Sequence, residues 1–280
     1  MLKALFQYSF LQNAVISAIL ASIACGIIGT IVIEKRLTMM SGGIAHTAFG
    51  GIGLGYLLGI EPIIGALIFS IGAALGVVTI KRRTNMNTDI PIGLFWSAGM
   101  ALGILFIFIT PGYPPDMSTY LFGDILTVSR SNLYIILILD IILITAIISL
   151  FQAFKAYMFD EEFSTVIGIH TRFIEYLLFI LIALAVVVLI HVVGIILIMA
   201  LLTAPPAIAR LFTYDLKKIM IYAVILGIVF CLLGLWLSYT LNIPSGAAIV
   251  LFISTVYGLV SAIKTASHKR ARDNTLQQND

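Results

Sequence analysis

The chain has 280 residues, 61% of them hydrophobic and 10% charged, with a formal net charge of +3 and a mean hydropathy of +1.12. Soluble domains carry about 25% charged residues, so the composition excludes a soluble globular domain and implies an all-α polytopic membrane protein. The basic residues sit in short clusters between apolar runs; they read as topology signals, and no nucleic-acid partner is implied.

Apolar spans fall at about 11–33, 40–59, 62–80, 90–110, 132–153, 173–190, 192–213, 219–240 and 245–263. Each is near the ~20 residues that cross a bilayer as a helix. Eight or nine transmembrane helices are therefore expected, with residues 1–263 forming one membrane domain. The first span holds Cys25, and Cys231 lies in a later one. Neither has metal-type spacing, so both are read as small buried hydrophobes. The run from Ser22 to Cys25 resembles a lipoprotein cleavage site, but the apolar stretch continues to Ile33, too long for a signal peptide, and no processing is expected.

The second span is unusual. Between Thr38 and Gly59 stand seven glycines, at 42, 43, 50, 51, 53, 55 and 59, and one imidazole, His46. A glycine costs about 1 kcal/mol in a helix relative to alanine, so this many needs a packing reason. Gly51 to Gly55 and Gly55 to Gly59 have the GxxxG spacing that lets helix backbones approach closely. His46 shares a helical face with Gly42, Gly43 and Gly50, at offsets of three and four. Such a ring faces a narrow passage or a tightly apposed helix; the plainer alternative is a neutral imidazole donating to a backbone carbonyl.

Orientation follows from lysine and arginine. With the N-terminus outside and nine crossings, 14 of the 16 basic residues fall on the inner side, leaving Lys3 and Arg130 outside; the positive-inside rule favours this arrangement. The outer segment 111–131 begins with Pro111, Gly112, Pro114 and Pro115, which mark irregular chain. It reads either as an interfacial loop or as a docking or gating surface.

The inner loop 154–172 contains a short helix, about 160–168. Asp160 is placed to cap it, and Glu161 and Glu162 complement the dipole of its first turn. Phe163, Val166 and Ile167 form one apolar face, and Gly168 supplies the stop. Its acidic first turn suits a partner protein better than an anionic lipid surface.

The 173–213 region is too long for one helix; only His191 and Gly194 divide it, and Pro205-Pro206 should bend or break its second half. The tail 264–280 is basic, then polar, and is expected to be disordered and cytoplasmic.

Ionisable groups inside the membrane are functional-site candidates because burying charge in lipid is costly. Three stand out: His46, Asp140 in mid-span, and His191 near a span end. Asp140 is read as part of a pore wall or as facing a neighbouring subunit, and an interfacial position also accounts for His191. The spans hold no HxxH, CxxC or acidic pair, so a closed metal site is not indicated, and no cofactor is expected to be permanently bound. The absence of GxxxxGK[ST] removes an internal ATPase, and the absence of HExxH removes a metalloprotease of that type.

Taken together, several segments resemble a known family. They are the opening helices 10–59, TDIPIGLFWSAGMALG (88–103), YLFGDILTVS (120–129), FDEEFSTVIGI (159–169) and VVGIILIMALLTAPPAIARLFT (192–213). Their order and spacing are similar to those of the ABC-3 permeases, the type II importer-like membrane subunits of ATP-binding-cassette importers for zinc, manganese or iron. The resemblance implies a multi-pass protein of the prokaryotic cytoplasmic membrane and a second copy of the chain around one pathway. It also implies a separate cytoplasmic ATPase, an external metal-binding protein or lipoprotein, and a transported divalent metal, with no enzymatic activity in the permease itself.

Under this resemblance His46, Asp140 and His191 are pathway candidates. Gly42, Gly43, Gly50, Gly51, Gly55 and Gly59 form the helix-packing face, and Asp160, Glu161, Glu162, Phe163 and Gly168 couple to the ATPase. Several family members carry an aspartate four residues before the histidine, where this chain has Gly42. Alternating access is the implied mechanism, with ATP-driven closure pulling on the 160–168 helix. The alternatives are a permease for a siderophore- or cobalamin-type metal chelate and an ion-driven secondary carrier; the latter usually needs more buried acids.

Overall fold

A computed structural model describes residues 8–84, 88–112, 123 and 125–277, with side chains described as far as 266. Segment 113–122 and Asp124, including most of the YLFGDIL stretch considered for docking or gating, lie outside the described residues. The helices are α1 (Ser9–Glu34), α2 (Thr38–Leu58), α3 (Pro62–Thr84), α4 (Asp89–Ile109), α5 (Arg130–Ser149), α6 (Phe151–Phe159), α7 (Glu161–Val166), α8 (Thr171–Val193), α9 (Ile195–Phe212), α10 (Leu216–Leu241) and α11 (Ser245–Gln277). A 3₁₀ turn, Ile125–Thr127, precedes α5.

Eight of these helices are long and apolar enough to cross a membrane: α1, α3, α4, α5, α8, α9, α10 and the Ser245–Ala266 part of α11. The glycine-rich α2, at 21 residues, is the ninth long helix. Its path is fixed by what meets at each end of the bundle. At one end Lys81 pairs with Glu175 (2.5 Å) and Arg210 with Glu34 (3.0 Å). There too Lys35 Nζ lies 3.9 Å from the Tyr157 ring centroid and Lys264 Nζ 5.4 Å from that of Phe212. These are the basic clusters assigned to the inner side. At the other end Glu61 is within electrostatic reach of His191, and Gly123 abuts the Val193 carbonyl. Helix α2 begins beside Lys35 and ends beside Glu61, so it crosses the bundle too.

Glycine makes that crossing possible. Helix α2 lies between α3 and α4 with backbones nearly touching. Towards α3, Gly51 meets the Gly65 carbonyl, and a Cβ on Gly55 would lie 2.7 Å from Pro62 Cα. Towards α4, a Cβ on Gly50 would sit 2.7 Å from the Gly99 carbonyl oxygen, and one on Gly53 2.6 Å from that of Gly103. Gly99 and Gly103 are themselves spaced as GxxxG, so at Gly50–Gly99 and Gly53–Gly103 glycine meets glycine across the α2–α4 contact. Thr47 Oγ1 adds a hydrogen bond across it to the Phe95 carbonyl at 3.0 Å. Gly59 is different: with φ +65° and nothing within 4 Å, it ends the helix as a left-handed cap.

The division of 173–213 falls at a single residue. Gly194 takes φ +85°, a conformation that strains any residue with a Cβ, and α9 starts immediately after it. Pro205-Pro206 does not break the helix; α9 is helical to Phe212. Proline at 206 frees the carbonyl of Leu202 from its intrahelical bond. That oxygen lies against α1, 2.5 Å from where a Cβ on Gly29 would be. The missing side chain of Gly29 therefore makes room for the carbonyl that the proline releases.

Candidate translocation site and cytoplasmic coupling surface

His46 sits on α2 with its ring stacked on Trp96 of α4, centroids 4.4 Å apart and planes 10° from parallel. Its side chain is half-buried, and its Nδ1 is buried without a hydrogen-bond partner among the described residues. Stacking fixes the ring plane while leaving that nitrogen free. One helical turn towards the inner end, Gly42 has no side chain, and the place is bordered by Met199 of α9. A Cβ on Gly42 would lie 3.1 Å from Met199 Cε, 3.7 Å from its Sδ and 3.6 Å from Trp96 Cζ3.

Asp140 is 2% exposed on α5, and neither carboxylate oxygen has a hydrogen-bond partner among the described residues. It faces the interior of its own chain, within electrostatic reach of Cys25 on α1. Cys25 and Cys231 are buried and unbridged, and the Ser22 hydroxyl donates to Cys231 Sγ at 3.7 Å. His191 is exposed on the last turn of α8, beside a small apolar recess lined by Ala48, Ile52, Ile63, Ala66, Val187 and Ile190. Among the described residues no three His, Cys, Asp or Glu side chains come together to hold one ion. The three pathway candidates thus occupy separate places, and His46 alone sits on the glycine helix.

On the inner side, α7 follows the expected local chemistry. Asp160 Oδ1 accepts from the Phe163 amide at 3.0 Å as N-cap, and Gly168 turns the chain with φ +86°. Phe159 (88% exposed), Phe163 (60%) and Val166 (83%) project from this end as an uncovered apolar patch.

An ion-pair network roots the patch in the bundle. Arg82 of α3 joins Glu161 of α7 at 3.0 Å and meets Glu175 of α8 through its Nε, and Glu175 also takes Lys81. Glu175 has no exposed surface. It lies inside the 173–190 apolar run, so it is a fourth ionisable group to set beside His46, Asp140 and His191. Its signal in the sequence was a lone acid in an apolar span following a KRR cluster on another span. Trp96 and Met199 gave no such signal, because an aromatic and a thioether in apolar runs read as lipid-facing or core residues.

Comparison with known proteins agrees with this architecture. Residues 7–264 match the family described as the ABC 3 transport family. The chain is 42% identical to an uncharacterized membrane protein of Synechocystis, covering 90% of this chain and 89% of the relative. It is 35% identical to the manganese transport system membrane protein MntC of Listeria monocytogenes, over 91% of each. Among solved structures, PsaBC from Streptococcus pneumoniae in complex with Fab superposes with a TM-score of 0.82 at 31% identity, covering 92% of this chain and 93% of that one. The chain belongs to the ABC 3 transport family.

Proposed function

We propose that this chain is the multi-pass permease subunit of an ATP-binding-cassette importer, moving a divalent metal ion through the cell membrane into the cytoplasm. It works as a homodimer around one pathway, with a separate ATPase docked on the α7 patch and an external metal-binding protein delivering the ion. The observation that carries the reading is His46: an oriented imidazole with a free nitrogen, on a helix whose neighbours touch it backbone to backbone. Imidazole suits several first-row metals, and a single side-chain ligand binds weakly enough to release the ion. Support also comes from the relatives: a 35%-identical protein is named for manganese transport.

Alternating access then amounts to a small repacking. The α2–α3 and α2–α4 contacts set backbone against backbone at Gly51–Gly65, Gly50–Gly99 and Gly53–Gly103. A pull on α7 passes through Glu161 and Arg82 to α3, and so to α2. The test is metal accumulation, by mass spectrometry, in cells expressing the chain with its ATPase and binding protein, wild type against His46→Ala. Loss of uptake for one metal, with the subunit still inserted and the ATPase still docked, is expected. Unchanged uptake would make His46 a packing residue and leave the ion hydrated along the pathway.

A further inference from the structure

The surroundings of His46 on α2 and α9 carry a second conclusion, resting on the permease reading above. Gly42 leaves the face of α2 open one turn from the imidazole, and the group bordering that opening is the thioether of Met199. The Ser41 hydroxyl lies 4.0 Å from the Met199 sulfur. Met39, three residues before Gly42 and seven before His46, falls on the same helical face and is 55% exposed. Met199 itself is only partly buried, as is His46. Among the described residues no three His, Cys, Asp or Glu side chains gather to hold an ion, and the atoms nearest a Cβ on Gly42 belong to Met199 and Trp96.

Ligand softness decides what such a facet prefers. Thioether and imidazole favour softer and borderline cations, whereas manganese(II) prefers carboxylate, carbonyl and water oxygen. We propose that Met199 is a specificity-determining residue: it offers its sulfur to a cation beside His46, and Met39 continues the sulfur-bearing face inward. The passage then favours a borderline divalent ion such as zinc or iron(II) over manganese(II).

The experiment measures the ratio of zinc to manganese accumulated from an equimolar mixture by cells expressing the complete importer, with wild type compared to Met199→Leu and Gly42→Asp. The ATPase and binding protein are the same throughout, so a change in ratio reports the permease. Leucine conserves the methionine volume while removing the sulfur. Aspartate at 42 adds a hard ligand one turn from His46; the tight contact of its Cβ is the flexible end of Met199, with Trp96 Cζ3 at an ordinary 3.6 Å. Each variant is expected to shift the ratio about tenfold towards manganese, at an unchanged amount of inserted permease. If Met199→Leu does not insert, Met199→Ile, which also removes the sulfur, decides by the same ratio. Active uptake with ratios within about twofold of wild type overturns the role of Met199 and leaves the permease reading standing. A wild type that accumulates no metal overturns both.

Discussion

The guanidinium of Arg82 holds Glu161 at 3.0 Å across the inner end of the bundle, so the short helix α7 is tied by charge to the transmembrane helix α3. The same guanidinium meets Glu175, which is fully buried on α8 and also takes Lys81. One arginine therefore links the exposed patch, the helix beside α2 and the most buried acid of the cytoplasmic end. Arg82→Gln keeps the Lys81–Glu175 pair but cuts the link to α7. Uptake should fall, and because Glu175 loses Arg82 but keeps Lys81 the purified permease should lose about 1–2 kcal/mol, less than on removing Glu175 itself. Glu175→Ala leaves Lys81 without its partner and Arg82 with Glu161 alone, and should lower stability by about 3 kcal/mol. Thermal unfolding in detergent separates the two.

Replacing Glu162 and Phe163 together by alanine tests the α7 surface. Phe163 is 60% exposed and supports no core, so the variant should insert and fold normally. ATP hydrolysis by the partner should continue while metal uptake is lost. Unchanged transport would count against docking at α7.

Gly51→Ala places a Cβ against the backbone carbonyl of Gly65, which cannot move aside as a flexible side chain would. A loss of about 1–3 kcal/mol is expected, together with reduced transport. Gly72→Ala is the control. It lies in α3 with nothing within 4 Å of its Cβ, and the change should be neutral or slightly stabilising through helix propensity.

Asp140→Leu removes a carboxylate whose two oxygens have no hydrogen-bond partner among the described residues. An orphaned buried acceptor costs about 1–3 kcal/mol, and an apolar replacement of similar volume relieves that cost. If the residue is structural, the unfolding temperature should hold or rise and uptake should persist. Loss of uptake in a stable Asp140→Leu permease would place the carboxylate on the ion's route.

Lys35, in the turn between α1 and α2, lies over the Tyr157 ring, and burial lowers its pKa from the usual 10.5 despite Glu161, Glu175 and Asp160 nearby. The folded protein therefore releases this proton at a lower pH than the unfolded chain. Between the lowered value and 10.5 the unfolded state binds more protons, so stability rises with pH through that window. Unfolding temperature measured across alkaline pH should show a positive contribution that Lys35→Met abolishes.

Sequence alone determined the membrane class and the long helices, because length and hydropathy act locally, and its basic clusters gather at one end of the bundle. It also determined the α7 turn, where Asp160, the apolar residues after it and Gly168 lie within one short stretch. It marked Gly51 and Gly55 as a close-packing pair without saying which helices would meet them. Tertiary structure decided that α3 and α4 flank α2 on two sides and that Gly59 is a cap. It also placed Pro205-Pro206 within a continuous helix, because the Leu202 carbonyl freed by Pro206 finds room over Gly29 of α1. The neighbours of His46 were likewise a tertiary matter. Trp96 lies 50 residues further along the chain and Met199 more than 150, and nothing in the hydropathy of either segment marks its approach to the ring. Periodicity reports which face of a helix is apolar or small; only packing reports which side chain arrives there.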